Sequence, residues 1–211
     1  MMKKECLNIV ESKCRSCKGC ALAKTRNNVV FSDGNPETAS IVLIGEAPGE
    51  MEDMSGTPFV GRAGQLLDEF LAEAGISREN DLYIINTVKC RPPENRVPTD
   101  EEKSACEKFL HAQIDIMNPK VILFCGATAL KSFWADPKVQ ISKIRGNWFN
   151  VTINNKEYRA MAIFHPSYLL RNHSMEEGSP RRLMQQDLAE IKSQILGDKT
   201  WWAPETEMAS V

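Results

Sequence analysis

Polar side chains follow three predicted strands, at the point where each strand ends. They are a carboxylate at Glu46, an amide at Asn86 and an imidazole at His165. Because ligands of mainly parallel sheets bind beyond the carboxyl ends of the strands, we expect these three groups to line one rim of the sheet. Loops are polar in any protein, so this convergence by itself indicates an α/β enzyme without specifying its reaction.

Cysteines form a second group of residues, and their spacing could allow them to bind a metal. Cys14, Cys17 and Cys20 are spaced three residues apart, which gives two overlapping C-x-x-C pairs. Cys90 follows the second predicted strand, and Cys106 lies within the next predicted helix. One C-x-x-C pair and two distant cysteines can supply four thiolates, which suits either tetrahedral zinc or a 4Fe-4S cluster. Sulfur ligands alone do not distinguish the two.

The elements that must position these residues alternate along the chain. Short apolar runs predict strands at 40–44, 82–85, 121–125 and 160–164, and helical spacing of apolar residues predicts helices at 63–74, 99–117, 126–134 and 180–195. This alternation implies an α/β fold with a central, mainly parallel four-stranded sheet flanked by helices. The segment 136–158 is expected to be loop-rich, with a hairpin near Trp148–Val151 and Tyr158 that turns at Asn154-Asn155.

Composition and charge exclude several classes of protein. With 211 residues, 42% of them hydrophobic and 26% charged, the chain suits a single domain, with a core at about 14–196 and a flexible tail at 197–211. No apolar stretch reaches the ~20 residues that span a bilayer, and no apolar region follows the positively charged N-terminus. We therefore expect a cytoplasmic monomer without a membrane span or secretory signal. Because the net charge is −2, any DNA-binding surface must be a local patch.

Five segments carry a recognisable set of motifs in a fixed order. They are Gly45–Glu50 continued by Glu52-Asp53 and Gly56–Gly61, then Asn86–Pro93 with Asn95-Arg96, then Lys143–Gly146, then His165–Arg171, then Gly178–Arg181. In this order the chain resembles the family 4 uracil-DNA glycosylases, the iron–sulfur type within the uracil-DNA glycosylase superfamily. The resemblance runs from about residue 17 to residue 195.

The resemblance decides which cysteines are expected to bind a cofactor. The leucine and arginine that follow the second cysteine of the family's first pair select Cys17 and Cys20 here. The second pair corresponds to Cys90 and Cys106, and Cys14 remains a possible substitute ligand. The implied cofactor is a 4Fe-4S cluster with a structural role and no redox step.

The resemblance also implies an activity and the residues that perform it. The reaction would be hydrolysis of the N-glycosidic bond of uracil in DNA, which releases uracil and leaves an abasic site for base excision repair. Such an enzyme flips the base into a pocket, stacks it on an aromatic ring and reads its Watson–Crick edge. By resemblance, Phe59 is the stacking ring, Asn86 is the reading amide, and His165 hydrogen-bonds uracil O2 as negative charge develops there.

A carboxylate should orient or deprotonate the attacking water. The candidates are Glu46 and Glu52, and the sequence does not rank them. Gly45 and Ala47 complete the expected uracil-binding wall, since a glycine permits close approach of the backbone to a ligand.

Contacts to uracil-containing DNA, single- or double-stranded, are expected from the segment after His165. Leu169, Leu170 and Arg171 could form an apolar wedge that enters the base stack. Packing of the two leucines within the protein is an equal alternative. Phosphate contacts are expected from Lys143, Arg145, Arg171, Arg181 and Arg182.

Two alternatives to an enzyme that releases its product remain. One is a relative that becomes covalently trapped on uracil-DNA through a histidine in a basic loop, but residues 91–98 contain no histidine. The other is a non-catalytic iron–sulfur or zinc module, against which the polar residues at three strand ends argue.

Overall fold

The computed structural model describes residues 2–136 and 138–196, and within them the chain forms a five-stranded sheet. The strand order is β2-β1-β3-β5-β4. Neighbouring strands are parallel, except that β4 runs antiparallel to β5 at one edge. The strands are β1 Ile41–Gly45, β2 Leu82–Asn86, β3 Val121–Cys125, β4 Trp148–Ile153 and β5 Lys156–Ile163. The tail predicted to be flexible, residues 197–211, lies outside the described residues.

Helices cover both faces of this sheet. They are α1 Lys3–Arg15, α2 Glu50–Ser55, α3 Arg62–Glu73, α4 Asp100–Met117, α5 Ala127–Lys131, α6 Ile141–Ile144, α7 Pro166–Leu169 and α8 Pro180–Ile191. The mainly parallel α/β architecture predicted from the sequence is thereby confirmed. No helix among the described residues is long and apolar enough to cross a membrane.

Two hydrophobic layers hold the helices against the sheet. In β1, Val42 and Ile44 pack in the layer that includes α1, α4 and α5. Ile41 and Leu43 point to the opposite face and pack in the layer that includes α3, α7 and α8. Because side chains of a strand alternate between faces, a continuous apolar run is what a strand covered on both faces requires.

The sheet has one strand more than the four predicted. The predicted hairpin forms, and its first arm, β4, extends the sheet at the β5 edge. Asn154 and Asn155 have φ of +51° and +60°, as in a two-residue turn of the kind that asparagine favours. The prediction of four strands did not count this arm, and β4 buries only part of its length, as edge strands do.

An N-terminal helix begins the core earlier than the predicted position near residue 14. Leu7 and Cys14 of α1 are buried, and Val10 packs beside them. These three residues form a single narrow apolar stripe within a helix rich in charged residues, and this stripe packs against α4. Such a stripe is too sparse to predict a helix by itself.

Candidate active site

A cavity of about 420 Å³ opens beyond the carboxyl ends of the parallel strands. Its walls come from the loops that follow β1, β2, β3 and β5, so the topology brings together residues far apart in sequence. Six predicted site residues line it, namely Glu46, Ala47, Glu52, Phe59, Asn86 and His165. The arrangement is the one expected for a ligand pocket in an open parallel sheet.

Asn86 presents an unsatisfied acceptor in this cavity. It is the last residue of β2 and pairs in register with Gly45 of β1. Its Oδ1 atom is buried and has no hydrogen-bond partner among the described residues. A Cβ atom on Gly45 would lie 2.3 Å from that oxygen, so only glycine leaves room for the amide. A buried, unpaired acceptor is costly and suits a site in which a ligand supplies the donor.

Phe59 is held in a backbone conformation that aromatic residues seldom adopt. Its φ is +54°, which costs about 1–3 kcal/mol unless the surroundings enforce it. Arg78 donates hydrogen bonds to the backbone oxygens of Pro58, at 2.7 Å, and of Phe59, at 3.2 Å. Gly64 permits close approach, since a Cβ there would lie 1.9 Å from the Phe59 oxygen. The ring is thereby fixed at 5.8 Å from the His165 ring, centroid to centroid.

His165 is held as a neutral imidazole with its proton on Nε2. The backbone N–H of Ser167 donates to His165 Nδ1 at 3.2 Å, and Ser167 Oγ lies 2.8 Å from the same nitrogen. Because Nδ1 accepts, the proton of the neutral ring resides on Nε2. Burial lowers the pKa of His165 to about 4, and the negative charge of Glu52 acts weakly in the opposite direction. Nε2–H is therefore available as a donor to a ligand at neutral pH.

The two candidate carboxylates are held differently. Oε1 of Glu52 accepts hydrogen bonds from the backbone N–H groups of Val60, at 3.0 Å, and Gly61, at 2.9 Å. Gly61 precedes α3, so the carboxylate also lies at the positive end of that helix. The half-buried Glu46 is fixed only through its backbone oxygen, which accepts from Thr87 Oγ1 at 2.5 Å. Its carboxylate has no hydrogen bond among the described residues.

Three further residues line the cavity although sequence reasoning did not single them out. Gly126 follows β3, the fourth strand end at this edge, and a Cβ there would lie 2.8 Å from His165 Cβ. Ser167 lies two residues after His165. Asn95 has φ of +56°, and its Oδ1 accepts from Arg91 Nε at 2.7 Å. The strand-end rule that selected Glu46 would also have found Gly126, whereas Asn95 and Ser167 lie within the motif segments, which gave them no role.

In the segment after His165, one residue, Leu169, does not fit the role predicted for it. Leu169 is fully buried within the core, so its predicted contact with DNA is not supported. Leu170 is half-buried and Arg171 is exposed, so both remain accessible at the surface. Tyr168 is 47% exposed and packs against Phe164 at 5.3 Å between ring centroids.

Of the five basic residues predicted to contact phosphates, two are bonded within the protein and three are exposed. Arg145 forms an ion pair with the buried Asp187, and Arg181 donates to the backbone oxygens of Leu169 and Asn172. These two arginines hold structure together. The remaining basic residues, Lys143, Arg171 and Arg182, are exposed.

A second cavity is surrounded by thiols. Cys14, Cys17, Cys20, Cys90 and Cys106 line it, brought together from the end of α1, the loop after it, the loop after β2 and the middle of α4. Hydrogen-bond donors point at two of these sulfurs: Gly19 N–H at 3.4 Å from Cys17 Sγ and Arg26 Nη1 at 3.2 Å from Cys90 Sγ.

The chemistry of these residues fits an iron–sulfur cluster. No three His, Cys, Asp or Glu side chains within 2–136 and 138–196 are arranged to hold one metal ion. The all-sulfur donor set, spread around a cavity and supported by N–H groups, suits a larger iron–sulfur group whose iron atoms each take one thiolate. Lys89 lines the same cavity, and burial lowers its pKa to about 8 while the charges of Cys106, Cys14 and Cys90 act in the opposite direction.

Comparison with known proteins gives the family. A family model described as the uracil DNA glycosylase superfamily matches residues 31–189. The chain is 51% identical over 193 residues to a type-4 uracil-DNA glycosylase of Thermotoga maritima, covering 92% of this chain and 96% of that protein. It is 41% identical over 176 residues to a type-4 uracil-DNA glycosylase of Archaeoglobus fulgidus, covering 82% of this chain and 87% of that protein. It is 36% identical over 199 residues to another from Sulfurisphaera tokodaii, covering 92% of this chain and 87% of that protein. The chain therefore belongs to the uracil-DNA glycosylase superfamily and, within it, to the type-4 uracil-DNA glycosylases.

Proposed function

We propose that this protein hydrolyses the N-glycosidic bond of uracil in DNA, as a repair enzyme that releases free uracil and leaves an abasic site. The observation that carries the proposal is the cavity at the strand ends. It combines an aromatic wall, an unpaired amide acceptor, a neutral imidazole donor and an anchored carboxylate. Each matches one requirement of excising a flipped base.

Asn86 distinguishes uracil from cytosine. Its Oδ1 can accept from uracil N3–H while its Nδ2 donates to uracil O4. Cytosine presents an acceptor and a donor at those atoms, which would leave mismatched groups buried without partners. A polar site of this kind discriminates strongly. Phe59, fixed by its backbone contacts with Arg78, supplies the face on which the ring stacks.

His165 stabilises the leaving group. As the bond between C1′ and N1 breaks, uracil becomes an anion with charge on O2. The neutral ring donates Nε2–H to that oxygen without needing to be protonated first, since its other nitrogen is occupied by Ser167. Burial, which keeps this ring neutral, also strengthens the hydrogen bond by excluding water.

Glu52 is the better candidate for positioning the attacking water. Two backbone N–H groups hold one of its carboxylate oxygens, which fixes the direction of the other. The carboxylate of Glu46 has no such anchor and serves as part of the wall around the base. The negative charge of both residues would also stabilise the cation-like sugar of the transition state.

Cys17, Cys20, Cys90 and Cys106 would hold a 4Fe-4S cluster, the cofactor associated with type-4 enzymes. When bound, the cluster supplies a cross-link that ties the end of α1 to the loop after β2 and to α4. Cys14 lies buried at the same cavity and is the spare thiol. No step of the reaction requires electron transfer.

The enzyme's DNA substrate would be bound through exposed basic residues. Lys143, Arg171 and Arg182 could neutralise phosphates, and affinity should then fall as salt rises. Leu170 and Tyr168, the partly exposed and exposed apolar side chains of this segment, would fill the space left by the flipped base.

A cleavage assay on a uracil-containing oligonucleotide tests this proposal. Asn86→Ala and His165→Ala are compared with the parent, and Asn150→Ala and His111→Ala, at residues that do not line the cavity, serve as matched controls. We expect the two pocket variants to fold and to lose most activity, and the two controls to cleave like the parent. Absence of free uracil release by the parent would contradict the proposal and favour a non-catalytic binding protein.

A further inference from the structure

Lys89 connects the thiol cavity to the base-reading amide, and no role described so far uses it. Its side chain is completely buried, at 0% exposure. Nζ donates to the backbone oxygen of Asn86 at 2.7 Å, its one hydrogen bond among the described residues. The same side chain lines the thiol cavity beside Cys90 and Cys106. One residue therefore touches both sites.

The charge of Lys89 calls for an anion on the thiol side. Removing an ammonium group from water without a partner costs several kcal/mol. Within the described part of the chain, Lys89 forms no ion pair with a carboxylate. The side chains that share its cavity include the thiols of Cys14, Cys90 and Cys106. A cluster bound by four thiolates is a net anion at this position, so it would provide the missing partner.

The other end of this connection is the main chain that carries the reading amide. On one side, Thr87 N–H donates to Gly45 O of β1 at 2.9 Å. On the other side, Lys89 Nζ holds the Asn86 oxygen itself. Because Asn86 Oδ1 is buried with no room beside Gly45, a small shift of this backbone would displace the amide from its reading position.

We propose that Lys89 is a positioning residue that couples the cluster to uracil recognition. Its ammonium group balances the negative charge of the cluster and, from there, fixes the main chain of Asn86. The inference rests on the proposed function, since it assumes both the cluster and the reading role of Asn86. It gives the cluster an effect on base recognition in addition to its cross-linking of chain segments.

The test compares Lys89→Met with Arg26→Gln in iron-loaded protein. Arg26 also presents a positive charge to the thiol cavity, at 3.2 Å from Cys90 Sγ, but its other hydrogen bonds go to the backbone oxygens of Arg15 and Cys17. The measurements are iron content, the reduction potential of the cluster, and the inhibition constant of free uracil against oligonucleotide cleavage.

Both substitutions should lower the reduction potential, because each removes a positive charge that favours the reduced, more negative cluster. Only Lys89→Met should weaken inhibition by uracil, by about tenfold to a hundredfold, the loss expected for one charge-assisted hydrogen bond. The inference is overturned if iron-loaded Lys89→Met is inhibited like the parent, or if Arg26→Gln weakens inhibition equally.

If Lys89→Met does not fold or load iron, Lys89→Arg decides the question. It retains the charge and the donor, so potential and uracil inhibition should both stay close to the parent values. An iron-loaded Lys89→Arg protein that has lost uracil inhibition would refute the coupling. A parent protein that releases no uracil would instead refute the proposed function, so the two failures are distinguishable.

Discussion

Replacing His165 by alanine removes the donor that the structure offers to uracil O2. The substitution leaves the other walls of the cavity in place, since Ser167 is the one hydrogen-bond partner of the ring among the described residues. Loss of one donor of this kind typically lowers the rate about 10²–10³-fold. We expect a loss of that size in the single-turnover rate of uracil release, with little change in affinity for the DNA.

The pH dependence of the parent gives a sharper test of the same residue. The pKa of His165 is lowered from 6.5 to about 4 by burial. At pH 6 only about 1% of the rings would then carry a second proton. The contribution of His165 should therefore stay constant from about pH 5.5 to 8 and decline only as the pH approaches 4.

The contrary result is well defined. If the imidazolium form were the donor, with an ordinary pKa, the rate would fall about tenfold per pH unit above 6.5. Such a fall, present in the parent and absent from His165→Ala, would refute a neutral donor. A cleavage rate of His165→Ala equal to that of the parent at every pH would remove His165 from the mechanism altogether.

Further predictions concern stability and the rest of the site. Because the unfolded imidazole binds a proton near pH 6.5 and the folded one only near 4, stability should be lost as the pH falls through this window, and denaturation of His165→Ala should depend less on pH. Gly45→Ala would place a Cβ atom 2.3 Å from Asn86 Oδ1 and displace the amide. Uracil release should then fall by about two orders of magnitude or more, while calorimetry shows a folded protein. Activity close to that of the parent would contradict the close contact between position 45 and the Asn86 amide. Glu52→Gln keeps an acceptor for the two backbone N–H groups but removes the charge, so the rate should fall about 10²–10⁴-fold with DNA affinity retained. Cys17→Ser should lower the iron content of purified protein and Cys14→Ser should not; the opposite pattern would exchange their assignments.

Regular patterns made much of this fold accessible from the sequence. Apolar runs mark β1, β2 and β3 and the buried second half of β5, and the polar residues that end these strands converge because parallel strands finish at one edge. The fifth strand was harder to foresee, since β4 buries only part of its length and its pairing depends on the sheet already being present. Helix α1 likewise owes its position to packing against α4.

The details of the site depended on contacts that no local pattern encodes. Phe59 is indistinguishable from a core residue in the sequence, and only its motif selected it. Burial of Leu169 is a property of where α7 lies on the core, which spacing after His165 does not reveal. Lys89 gave no signal at all, because a lysine in a loop is ordinarily exposed. Its burial follows from the segments around the thiol cavity, which come together only in the folded chain.

A crystal structure of the iron-loaded protein with free uracil is the most direct test. We expect the ring to stack on Phe59, with N3–H and O4 within about 3 Å of the Asn86 amide and O2 within about 3 Å of His165 Nε2. Uracil bound elsewhere, or bound in this cavity with its Watson–Crick edge turned away from Asn86, would contradict the proposed recognition of the base.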